Sequence, residues 1–144
     1  SLGALGDTSG VISLLHKAES DDPGIKKAVA YTLGLMQDSR AIPTLRGMLN
    51  ASQHDVQWNA ALALCRFQDR SGLKVIEEML NREFLNRIQE MSDEQREETM
   101  MNAIRGVVLL KERSLEPMLS TLKANDTSLK VRQAAIEALE QMNR

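Results

Sequence analysis

Apolar residues along this chain fall at helical spacing, and the sets they form then recur. Counted from Asp7, Asp38 and Asp69, apolar positions lie at +4, +7 and +11: Val11, Leu14, Ala18; Ile42, Leu45, Leu49; Leu73, Ile76, Leu80. A step of 31 residues separates Asp7 from Asp38 and again Asp38 from Asp69. A fixed period of this length predicts a repeat array rather than one globular core.

A second rhythm lies between these sets. Apolar or small residues recur at +4, +8 and +11 from Ile25 (Val29, Leu33, Met36), Val56 (Ala60, Leu64, Phe67), Thr99 (Ala103, Val107, Leu110) and Val131 (Ala135, Leu139, Met142). At about 100° per residue these positions occupy an arc of roughly 80°, a narrow stripe facing a core. Each repeat therefore reads as two helices. The start signals agree: Asp7, Thr8, Ser9, Asp38 and Ser39 are candidate caps, and Asp22 precedes Pro23 at a first helical turn. Ser52 has Asp55 three residues on, and Ser92 has Gln95, a capping box.

The spacing predicts repeats at 7–37, 38–68, 69–111 and 112–144, the third about eleven residues too long because of an insertion at about 81–98. The apolar series continues there through Leu80, Phe84, Ile88 and Met91, so the first helix of that repeat is expected to run on by two or three turns and project. Leu2 and Leu5 stand before Asp7 as Leu33 and Met36 stand before Asp38. Residues 1–6 thus read as the end of a preceding repeat, and the chain as a piece of a longer protein.

Composition narrows the class. Glycine (8), proline (3) and aromatics (3%) are scarce, while 42% of the 144 residues are apolar, which makes the expected fold all-α. The net charge of −2, from 18 basic and 20 acidic residues, provides no general attraction to nucleic acid or anionic lipid. No apolar run reaches the ~20 residues of a membrane span. The single cysteine, Cys65, excludes a disulfide framework within the chain.

Asp22-Pro23-Gly24-Ile25-Lys26-Lys27-Ala28-Val29, Leu33-Gly34, and Asp38 through Ile42-Pro43 and Leu45 to Leu49 resemble a HEAT repeat. The likeness is strongest to the short bacterial form named after phycobilisome-lyase HEAT-like repeats, and Val131-Arg132 with Ala135 and Leu139 repeats the signature. The resemblance implies an α/α superhelix, a solenoid of helix pairs, whose second helices line a concave binding face. It is specific for architecture and weak for function, because the motif residues are core and cap positions.

On that face the positions opposite the core stripe are +2, +6 and, more loosely, +9. The +2 and +6 positions are Lys27 and Tyr31, Trp58 and Leu62, Met101 and Arg105, Gln133 and Glu137. The only Trp and the only Tyr fall on this row. Exposed aromatics beside arginine make hot spots of protein interfaces, although Trp58 can instead fold over the seam between repeats. Phe84, Leu85, Ile88 and Met91 form a second candidate, either a partner contact or a segment covered by residues 93–111.

Catalytic and metal readings are thin. Equivalent aspartates of stacked repeats sit about 8–10 Å apart, too far to share a Ca²⁺ that needs oxygens at about 2.3–2.6 Å. His16 and His54 lie in different repeats. HEAT-like deoxyhypusine hydroxylases carry His-Glu pairs, whereas His16 is followed by Lys17 and His54 by Asp55. Cys65, at +9, has no base placed to activate it. The expectation is a non-catalytic protein-interaction scaffold without cofactor or metal, binding another protein or another domain of its own polypeptide, with neither nucleic-acid binding nor membrane insertion. Two alternatives are an accessory or chromophore-lyase-type subunit related to phycobilin attachment factors, and a nucleic-acid module like the HEAT-like alkylpurine DNA glycosylases. The second would need a basic groove, and the row carries only Lys27 and Arg105 against Glu137.

Overall fold

A computed structural model describes residues 7–144, with side chains from residue 10 onward. The side chains of the expected caps Asp7, Thr8 and Ser9, and residues 1–6 as the end of a repeat, lie outside what is described. Among the described residues all regular structure is helical. The helices are α1 (Asp7–Lys17), α2 (Pro23–Met36), α3 (Ile42–Met48), α4 (His54–Arg66), α5 (Leu73–Met79), α6 (Arg82–Asn86), α7 (Asp93–Leu110), α8 (Glu116–Asn125) and α9 (Leu129–Met142). Single 3₁₀ turns, Ser39–Ala41, Arg70–Gly72 and Arg113–Leu115, lead into α3, α5 and α8.

The periodic aspartates build those turns. Asp38 accepts the Arg40 N–H at 2.9 Å, and Asp69 accepts the Ser71 N–H at 2.8 Å. Each carboxylate thereby satisfies a backbone donor that the start of a helix leaves orphaned. Glu112 holds the equivalent place before α8 but caps no backbone N–H; its longer side chain instead accepts the Ser114 hydroxyl at 2.8 Å. One residue earlier the chain is left-handed each time, at Gln37 (φ 57°), Gln68 (φ 60°) and Lys111 (φ 52°). These residues stop α2, α4 and α7 where glycine or asparagine would be usual, so composition alone gave no sign of them. Asp22 caps α2 through the Gly24 and Ile25 N–H groups, and Ser92 and Gln95 form the expected capping box of α7. Ser52 does not cap: α4 begins one residue later than that role requires, behind Gln53, and Asp55 lies in its first turn, at the positive end of the helix.

The described chain divides into two compact units, one reaching to Val75 and one beginning at Ile76. In the first, α2 packs on α1 and α4, and α3 packs on α4. The second-helix stripe enters this core through Val29, Leu33, Val56, Ala60 and Leu64, and the first-helix stripe enters through Val11 and Leu45. Ile25 is an exception at 42% exposure. In the second unit α9 packs on α7 and α8, and α6 packs on α7, around Leu85, Met100, Ala103, Val107, Leu119, Val131 and Ala135.

The lengthened, projecting helix is not present. α5 ends at Met79, and Asn81 starts a separate helix by accepting the Phe84 N–H at 3.1 Å. Asparagine competes for backbone hydrogen bonds inside a helix and favours its cap. Leu85 is fully buried, and Phe84, Ile88 and Met91 are half-buried. Arg96 of α7 ties the segment down, donating to the Leu85 carbonyl at 3.0 Å and the Ile88 carbonyl at 2.8 Å. Arg82 anchors its other end in a two-pronged pair with buried Asp126, at 3.0 and 2.6 Å.

Candidate functional site

In the first unit the second helices α2 and α4 lie side by side because small residues meet between them. A Cβ on Gly34 would stand 2.8 Å from the Ala63 Cβ and 3.0 Å from its Cα, so only glycine permits this approach. Two contacts then link the outer surfaces of the helices. Lys27 Nζ lies 3.9 Å from the Asp55 carboxylate, and the Arg66 guanidinium lies over the Tyr31 ring at 6.0 Å. The Arg66 stem reaches the ring along the lane that Gly34 leaves open, its Cδ 3.3 Å from where a Cβ would be.

The expected row is thereby tested residue by residue. Tyr31 is 53% exposed and Lys27 is exposed. Leu62 is half-buried. Trp58 departs from the expectation of exposure: it is only 6% exposed, and its ring stacks on His54, one helical turn earlier, at 5.3 Å. Burying an indole removes a large apolar area from water, and the imidazole at i−4 gives it a flat neighbour. The cost is its N–H, which has no hydrogen-bond partner among the described residues.

Leu35 and Arg66 were missed by sequence reasoning. Leu35 is 50% exposed, and both residues sit at +10 of their helices. The +9 positions of this unit, Gly34 and Cys65, are buried. Extending the +2, +6 series by another four residues, rather than three, follows one lane of the helix surface and would have found both.

In the second unit Met101 is half-buried, while Arg105, Gln133 and Glu137 are exposed. Arg105 donates to Asn102 at 2.6 Å, and Gln133 donates to Glu137 at 3.3 Å. A depression here is lined by Glu94, Glu97, Glu98, Met101, Arg105 and Lys130. Glu97 accepts from the Ser128 hydroxyl and lies 3.9 Å from Lys130. This surface is acidic and polar, whereas the first unit's is aromatic and aliphatic with a basic margin.

Reactive chemistry is muted. Burial pushes the Cys65 thiol up to about 12, with the nearby Asp69 charge adding to it, so the thiolate needed for nucleophilic work is suppressed. No group of three potential metal ligands gathers among the described residues, and none of their helices is long and apolar enough to cross a membrane.

A family model for HEAT repeats matches residues 1–64. Among solved structures, human deoxyhypusine hydroxylase in complex with glycerol aligns over 99% of this chain and 77% of its own, at 18% identity and a TM-score of 0.45. No curated protein matches the sequence.

Proposed function

We propose that this chain, which matches a HEAT-repeat model over residues 1–64, is a non-catalytic scaffold of HEAT-like repeats. It binds another protein, or another domain of its own polypeptide, through the outer face of its second helices. The observation that carries this reading is the surface of α2 and α4. Tyr31 and Leu35 are each about half exposed on one helical lane, with half-buried Leu62 opposite and Lys27, Asp55 and Arg66 at the margin. Large apolar side chains next to one another, rimmed by charge, have the composition of a protein contact. The high Cys65 pKa also favours a binding role over a nucleophilic one.

The test places a photo-crosslinking residue at Leu35 in the full-length protein in its own cells. The same residue at Leu129, which is 72% exposed on α9, serves as control. A discrete protein adduct from position 35, absent from 129 and competed away by excess unmodified chain, is expected. Equal labelling from both positions, or none from position 35, overturns the reading.

A further inference from the structure

We infer that the partner segment seated on this face presents a carboxylate beside an apolar side chain, and that Arg66 is the residue that receives the carboxylate. The inference rests on the scaffold reading and names the chemistry of its partner. Both arginines that form long-range ion pairs hold an acid, Arg46 with Asp69 and Arg82 with Asp126, and Arg40, Arg96 and Arg113 hold acids two or three residues away. Arg66 has no carboxylate among the described residues. It is exposed, yet its position is defined, with its stem in the Gly34 lane and its guanidinium over Tyr31.

A guanidinium resting on an aromatic ring keeps N–H donors available to a planar acceptor, and a carboxylate takes two of them at once. Holding the cation in advance lowers the ordering cost of forming that pair. The rest of the face agrees in charge. Lys27 is offset by Asp55 at 3.9 Å, whereas the Arg66 charge over Tyr31 faces no carboxylate among the described residues. An Asp or Glu on the partner would meet Arg66 while its apolar neighbour covers the exposed ring and leucine. A basic segment would meet like charge at Arg66.

The position-35 adduct is the readout. Arg66→Glu is expected to reduce its yield at least about tenfold, the order that follows when an attractive charge contact becomes a repulsive one. Arg66→Gln should fall between, and Arg66→Lys should recover only part of the yield, since it keeps the charge but not the two-pronged fork over Tyr31. Arg66 is at the surface, and unchanged thermal unfolding of the Gln variant separates lost binding from lost fold. Mass spectrometry of the adduct should place an Asp or Glu within a few residues of the crosslinked site. An adduct undiminished by Arg66→Glu, or one mapping to a segment without acids, overturns this inference while leaving the scaffold reading intact. Absence of any position-35 adduct overturns both.

Discussion

Trp58 illustrates how far one side chain can depart from the lane its number assigns. Its position on α4 is opposite the core stripe, yet its area draws it inward onto His54. Trp58→Ala should therefore cost about 3–5 kcal/mol in urea unfolding, as for other buried aromatics. Trp58→Phe should cost only about 1 kcal/mol, because the lost N–H makes no bond among the described residues. Equal losses for the two variants would mean that the indole nitrogen has a role the packing does not reveal. Asp38 is a different case, a surface residue whose role is electrical. Hydrogen bonds from the Arg40 side chain and backbone lower its carboxyl from 3.8 to about 2. A pKa depressed by folding contributes stability that is complete above 3.8 and disappears as pH falls toward 2. Asp38→Asn should lower the melting temperature at neutral pH, and the gap to the parent should close as the solution is acidified through that window. A gap independent of pH would sink this account.

At the scale of elements, the contact between α2 and α4 is decided by Gly34. A glycine inside a helix normally gains stability on replacement by alanine, by up to ~1 kcal/mol. Here the added methyl would meet Ala63 at 2.8 Å, including backbone at 3.0 Å. Gly34→Ala should therefore lower stability by about 1–3 kcal/mol, and an unchanged or raised melting temperature would show that the helices separate freely. The insertion follows its own logic. Asn81 breaks the helix, Leu85 fills the core of the second unit, and the Arg82–Asp126 pair closes the fold over the segment. The Asp126 side chain is almost wholly buried, at 1% exposure. Arg82→Met leaves that charge without its cation, and a loss of about 3 kcal/mol in urea unfolding is expected. Adding Asp126→Leu should restore part of it. If the double variant is less stable than the single one, the pair is not the reason the segment stays docked.

At the scale of the whole molecule, the period accounts for the architecture and leaves the partner open. Cys65 offers a probe of how firmly the first unit holds together. Its thiol is 1% exposed and pushed to about 12. Alkylation by iodoacetamide near pH 8 should proceed only as the unit opens, and low urea should speed it in parallel with unfolding. Rapid native-state labelling would show that α4 is not closed around its sulfur. The proposed contact face depends on the same unit, since Arg66 of α4 lies over Tyr31 of α2 only while the two helices are packed together.

Much of this was legible in the sequence because the determining interactions are local. The helical periods, the aspartate turns, the Asp22-Pro23 start and the Ser92–Gln95 box each depend on residues within a few positions of one another, and a chain read in order displays them. The tertiary structure alone decided what depends on distance in space. Trp58 is buried against His54 of its own helix, and Leu85 became core because burial is settled in the folded unit rather than along the chain. Arg66 came to rest on Tyr31, 35 residues earlier, because Gly34 on the same helix as Tyr31 leaves room for its stem. The repeat pattern could mark an outer face, but which side chains remain on it is an outcome of packing.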